Sequence, residues 1–475
     1  MMRLMRGLAS VTALGALAGA AGCGKLLGLD GFTDQPAQQG AGGGGDAECA
    51  APADCPGGEH GAATCAQGAC GFQCEDGFDD CDDEVGCETA TSADKQNCGG
   101  CGVTCSAYCE QGSCNDPVDV AVGRVHACAI LKDGSVWCWG QEVDDDETSS
   151  DYWTTRLEPA RVPLPGPAVG IAAGDFSDEA REWHTCALLA DGTVHCWGMN
   201  MSGQLGLGSG NMMRKTPNKV GIENIDRIGA GGATTCAIDK SDRLFCWGRG
   251  FEGQLAVEGM PKSSVPVEIS IRDEPVAHVA VGLRHVCAVT TDGSLYCWGD
   301  NRSAQLGDTV SGFEHFPNWV HGVHNVKMVS CGRAHTCALT TLGTYCWGAN
   351  GSGQLGVNST QLVDAPVALE LKNVGSVYTG YWHSGALVDG SVFMWGDNAA
   401  GQYGNGLPIS ESVPTDTGMS GMRKLALGEE FSCGLTETGV LQCWGYGGTG
   451  ELGNGTTDSS SVPVPVRWPE RAQAP

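Results

Sequence analysis

The chain has 475 residues, of which 74 are Gly and 26 Cys, with 56 acidic against 27 basic side chains and a formal charge of -29. Phosphate-backbone binding needs clustered Lys and Arg, and no basic run follows the extreme N-terminus, so the composition excludes a nucleic-acid partner. So many cysteines place the chain in an oxidising compartment outside the cytosol, and the length allows one large domain with appendages.

Residues 1–22 read as a secretory signal, with Arg3 and Arg6 ahead of an apolar run from Leu8 to Gly22. The run ends in Ala20-Ala21-Gly22-Cys23, which resembles the bacterial lipobox, with Ala20 standing where that motif has Leu. The resemblance implies an acylated Cys23 at the start of the mature chain, and Gly24 after it is compatible with an outer-membrane or surface location in the bacterial envelope. Ordinary cleavage after Ala20, giving a secreted soluble protein, is the alternative. No later apolar run is long enough to span a bilayer, so membrane contact is expected through the lipid only. Residues 23–47 are then a flexible tether, ending in Ala-Gly-Gly-Gly-Gly.

Residues 48–115 form a Cys-rich module whose twelve cysteines, Cys49 to Cys114, take the place of a core that the few large aliphatics cannot build. Cys98-Gly-Gly-Cys101 has the spacing of a redox pair and, with Cys105 and Cys109, that of a zinc site; the oxidising compartment favours structural disulfides instead. The acids Asp76, Asp79, Asp80, Asp82, Asp83 and Glu84 offer oxygen ligands for calcium, the sole cofactor considered, although their spacing fits no EF-hand loop and a solvated acidic loop competes. The stretch from Asp80 to Cys105 resembles a Cys-rich module of bacterial surface proteins.

Between residues 118 and 468 one phrase recurs seven times, most clearly from Val279 to Gly299, with Trp-Gly pairs beginning at Trp139, Trp197, Trp247, Trp298, Trp347, Trp395 and Trp444. The period of roughly 50 residues suits propeller blades. Each unit reads as a leading strand, a hairpin with an Asp-Gly type turn, and a Pro-Val strand, which is the content of one four-stranded blade. Six hairpins carry a cysteine in each arm: Cys128 with Cys138, Cys186 with Cys196, Cys236 with Cys246, Cys287 with Cys297, Cys337 with Cys346, and Cys433 with Cys443. The remaining unit has Gly385 and Met394 at these places, and losing both members together is what pairing predicts. Cys331 is left over as a small buried filler. His126, His184, His285, His335 and His383 repeat two residues before the first cysteine; equivalent positions lie about 10 Å apart on neighbouring blades, too far for one metal, so a hydrogen bond repeated inside each blade is expected. The stretch Val462 to Val466 looks spare, and the ring is expected to close by adding it to the first unit, leaving 469–475 as a tail.

The motif G-x-x-H-x-C-A-L-x-x-D-G-x-V-x-C-W-G followed by G-Q-L-G resembles the regulator of chromosome condensation (BNR-like) repeat. The resemblance implies an all-β, seven-bladed β-propeller over residues 118–468. It is almost silent about activity, since such propellers serve as exchange factors, adaptors and secreted enzyme inhibitors, and no exchange-factor residue carries over. Catalytic motifs are absent from the sequence: no G-x-S-x-G, no phosphate loop, no H-E-x-x-H. The expectation is a surface-anchored binding or scaffolding protein and not an enzyme. An inhibitor of an extracellular enzyme is the first alternative, similar to one bacterial member that acts on beta-lactamases. A carbohydrate-active propeller, which would need paired carboxylates at the channel, is the second.

Two adjacent units carry insertions. After Trp139-Gly140 the usual Gly-Gln-Leu-Gly turn is replaced by a segment with Asp144, Asp145, Asp146, Glu147, Asp151, Tyr152 and Trp153; between Gly174 and His184 stand Asp175, Phe176, Asp178, Glu179, Glu182 and Trp183. In a four-stranded meander both connections emerge at one end, so the expectation is an aromatic patch with an acidic rim for a protein or cationic ligand.

Overall fold

A computed structural model describes residues 51–54, 60–67, 69–76, 78, 91, 93–143, 153–174, 183–208 and 213–469. Residues 1–22, Cys23, the tether, the acids Asp79, Asp80, Asp82, Asp83 and Glu84, and most of the inserted segments lie outside the described residues.

Seven four-stranded antiparallel sheets follow one another in chain order, forming the blades of an all-β propeller. In the fourth blade the strands are Val276–Val281, His285–Thr290, Leu295–Asp300 and Phe313–Trp319, running from the channel outward. The second and third strands of that blade are buried along their whole length, because neighbouring blades cover both faces, and they accordingly read as continuous apolar runs. The turn of the first blade follows the sequence expectation: Gly134 sits at φ 77° and the Asp133 carboxylate accepts the Ser135 N–H at 2.8 Å.

This register sets Cys128 opposite Cys138, and likewise each of the other five pairs. All six are bonded, with Cα atoms 4.0 to 4.2 Å apart. In the sixth blade Gly385 faces Met394, and a Cβ on Gly385 would come within 2.6 Å of the Met394 sulfur. The thioether therefore occupies the volume that the bridges fill elsewhere.

Ring closure corrects the expectation. Ser460–Pro465 is no spare strand: it pairs with Leu441–Gly445 as the outer strand of its own blade, and Pro117–Val122 already heads a complete first blade. Every Pro-Val stretch belongs to the unit that precedes it, so seven units of four leave nothing to exchange. The seam is held by side chains. Lys424 pairs with Asp119, Arg124 with Glu429, and Arg423 donates to the carbonyls of Pro117 and Val118 at 3.0 and 3.1 Å.

The end of the Cys-rich module is packed onto this seam. Cys98 is bonded to Cys109 and Cys105 to Cys114, so Cys98 does not pair with Cys101 as a redox motif would require. The small hairpin Tyr108–Glu110 and Ser113–Asn115 places Tyr108 beside Trp137 and Trp468, with ring centroids 5.3 and 6.2 Å away. Ser106 Oγ donates to the Gly439 carbonyl at 2.7 Å, tying the module to the seventh blade. Cys331 lines the channel, and burial drives its thiol far above the ordinary range, which removes it as a nucleophile.

Candidate functional site

The joints between blades repeat one device. In the second blade Asn200 Oδ1 accepts the Leu205 N–H at 3.0 Å and Gln204 Oε1 accepts the Ser202 N–H at 2.9 Å, which closes the Gly-Gln-Leu-Gly turn on itself. The Gln204 backbone carbonyl is left pointing at the third blade, where it accepts both Trp247 Nε1–H and the Thr235 hydroxyl at 2.9 Å. Gln305 does the same for Trp347 and Thr336, Gln354 for Trp395 and Ser384, and Gln402 for Trp444 and Ser432. Gln254 and Glu451 serve the indoles of Trp298 and Trp139 alone. All six of these tryptophans are fully buried.

The repeated histidines join this device, and the expected bond inside each blade is corrected to a bond between blades. Nε2 of His126, His184, His285, His335 and His383 lies 2.6 to 3.0 Å from the hydroxyl of Thr185, Thr235, Thr336, Ser384 and Ser432 on the next blade. The Gly of the Gly-x-x-His loop packs directly beneath each ring, as at Gly332, where a Cβ would meet the His335 ring at 2.3 Å. Nδ1 of His126, His285, His335 and His383 is buried without a partner among the described residues. A proton there would be unsatisfied, so it resides on Nε2 and is donated to the hydroxyl, which at Thr336, Ser384 and Ser432 in turn donates to the Gln carbonyl.

Burial lowers these imidazoles to about 4 at His126, His285 and His383 and about 3 at His335. The folded values lie below the unfolded value of about 6.5, so unfolding takes up protons between those limits. Stability is therefore full above about pH 6.5 and is lost as pH falls toward 4. Burial raises the carboxyls of Glu142, Glu429 and Glu451, a contribution of the opposite sign. The melting temperature should decline between pH 6.5 and 4.5, less steeply in a His335→Gln variant; a flat wild-type profile would contradict the buried neutral relay.

The joint between the first and second blades breaks the pattern. Here the third and fourth strands, Val136–Val143 and Trp153–Val162, stay paired beyond the usual end, with Gln141 opposite Thr155 and Val143 opposite Trp153. The two strands run on as a pair where the other units turn back over the next blade. Trp197 consequently has no acceptor among the described residues and is only half-buried, unlike its six counterparts. The Thr185 hydroxyl receives His126 at 2.9 Å and meets no carbonyl among the described residues. Both side chains line a cavity of about 210 Å³ that separates the two blades.

Trp183, expected as an exposed anchor, forms part of the cavity wall and is 3% exposed, which corrects its assignment to the outer patch: the strand starting at His184 draws its neighbour inward. Trp153 is placed in the fourth strand of the first blade. Asp144, Asp145, Asp146, Glu147, Asp151, Tyr152, Asp175, Phe176, Asp178, Glu179 and Glu182 lie outside the described residues. Antiparallel pairing does bring the open ends at Val143 and Trp153 and at Gly174 and Trp183 to the same end of adjacent blades. The described rim is basic, with Arg156, Arg161, Arg214 and Lys215 around Glu142. Arg156 is ion-paired to Glu142, whose carboxyl is raised by burial against the opposing pull of Arg156 and Lys215.

The central channel has a different character. Around Ser330 and Cys331 its wall is built of Ala, Val, Gly and Leu residues.

Comparison with known proteins identifies this architecture. The RCC1-like domain matches residues 179–474, and the regulator of chromosome condensation repeat matches residues 118–144. The probable E3 ubiquitin-protein ligase HERC6 of Homo sapiens and the ultraviolet-B receptor UVR8 of Arabidopsis thaliana are each 30% identical over 46% of this chain. Those matches span 22% and 50% of the relatives' own lengths. Among solved structures, Prp20p of Saccharomyces cerevisiae superposes with a TM-score of 0.60 at 22% identity, covering 74% of this chain and 86% of its own. Human WBSCR16 gives 0.59 at 24%, covering 68% and 87%. The chain belongs to the RCC1-like domain family.

Proposed function

We propose that this protein is a lipid-anchored binding protein of the bacterial envelope, held through Cys23, whose propeller engages a protein partner on the face shared by its first and second blades. The observation that carries the reading is the break in the joint pattern: of the seven joints, this one alone lacks the carbonyl-bearing turn among the described residues, and both insertions open beside it. A solved structure of yeast RCC1 has Kap60 bound, which supports a protein as the kind of partner such a propeller holds. The bridged hairpins suit an extracytoplasmic location. The acidic inserted segments favour a partner with a cationic rim, approaching at a rate that falls with salt.

The test uses the protein extracted from envelopes. Its N-terminal peptide should carry acyl chains on Cys23 by mass spectrometry. As bait it should capture a partner that is lost when residues 144–152 are shortened to Asn-Gly. An unmodified N-terminus beginning at Ala21 would overturn the anchor, and equal capture by the shortened variant would overturn the binding face.

A further inference from the structure

The break at the first joint has a chemical meaning that follows from the six regular ones. At a regular joint an indole N–H, and in four cases a hydroxyl as well, converge on one backbone carbonyl oxygen. The residue after that carbonyl, Leu205, Leu255, Leu306, Leu355, Tyr403 or Leu452, is buried at the same place. The first joint keeps the donors, Trp197 Nε1–H and the Thr185 hydroxyl, and it keeps the histidine that orients the hydroxyl. Among the described residues it lacks the carbonyl and the apolar side chain behind it. A space of about 210 Å³ remains.

We infer that this cavity is a peptide-binding pocket: a turn from a partner protein inserts a backbone carbonyl between Trp197 and Thr185 and buries the aliphatic side chain that follows it against Trp183 and Trp197. The inference rests on the blade 1–2 face being the binding face and adds the chemistry of the partner. At the sister joints the equivalent space already holds a peptide turn of that chemistry. Desolvating Trp197 Nε1–H without an acceptor is unfavourable, so an apolar group alone does not fit the inner end. The rim also limits the ligand. The Arg156–Glu142 pair at the mouth offers both signs of charge, which suits the polar flanks of a turn rather than a bare anion.

The experiment uses the full chain labelled with 15N at its tryptophan indoles, with the Trp197 signal assigned from a Trp197→Phe variant. In the free protein the Trp197 indole proton should exchange at least tenfold faster than those of the six regular blade tryptophans. The probe is an acetylated and amidated peptide with the sequence of residues 200–207, Asn-Met-Ser-Gly-Gln-Leu-Gly-Leu. It should shift the Trp197 signal saturably at up to millimolar concentration and slow its exchange, while the same peptide with Leu205→Asp should not. Trp197→Phe, monitored by the Thr185 methyl signal, should weaken binding roughly five- to tenfold, the value of one hydrogen bond. Trp197 as protected as the others in the free protein would show the joint filled from within and overturn the inference, as would a peptide that shifts other indoles or none. Partner capture that survives Trp197→Phe but is lost on shortening residues 144–152 would overturn this inference alone and leave the binding face standing.

Discussion

Once its six hairpin bridges are reduced and blocked, the propeller should be unable to recover its fold. Each bridge closes a loop of about ten residues, which in the chain-entropy account removes about 2.7 kcal/mol of unfolded-state freedom, so six contribute roughly 16 kcal/mol. That exceeds the usual net stability of a domain, about 5 to 15 kcal/mol. Every one of the twelve sulfur-bearing residues is buried to 2% exposure or less, so reductant should act only after denaturant has opened the blades. Refolding of the alkylated chain would be followed by near-ultraviolet circular dichroism and protease resistance. A cooperative transition at the native melting temperature would show that packing between blades suffices. Cys287→Ser should give a graded version, exposing the single new thiol of Cys297 and lowering the melting temperature.

The blades were legible because the repeat shows each feature several times over. Strand period, Asp-Gly turn and paired cysteines occur in unit after unit, and the pair Gly385 and Met394 departs from the pattern in both arms at once. Closure departs from the expectation because the Pro-Val stretch belongs to the unit before it at every blade, the last included. The histidine relay also had a sequence signal, and it lies between units rather than within them. Where His is replaced by Thr234 or Phe431, the acceptor on the next blade is replaced too, by Val286 and Ala127. A bond confined to one blade could not produce that joint loss. The missing Gly-Gln-Leu-Gly turn of the first unit was visible as well, but as added surface. Only the geometry shows that no carbonyl among the described residues takes its place at Trp197. The burial of Trp183 left no trace in the sequence, because it follows an insertion and sits just outside the repeating strand.

Trp347→Ala and Trp197→Ala should have unequal costs although the two residues occupy the same position in their units. Trp347 is fully buried between the fourth and fifth blades, packs with Leu306 and Val320, and donates to Gln305 at 3.0 Å. Truncating such a side chain removes its transfer free energy and leaves a cavity the ring cannot collapse, which together amount to roughly 3–5 kcal/mol. The Gln305 carbonyl keeps the Thr336 hydroxyl at 2.8 Å, so a lost acceptor adds little. Trp197 already faces an open cavity, is half-buried, and has no acceptor among the described residues. Its truncation enlarges a space that exists instead of creating one, and only the surface now hidden is lost, so the cost should be about 1–2 kcal/mol. Denaturant midpoints of the two variants, read with unchanged slope, give the comparison. Equal destabilisation would mean that the first joint is packed like the others. A small cost at Trp197 together with loss of peptide binding would show a residue held in the repeat for recognition and not for packing, because its place in the ring stays stable without it.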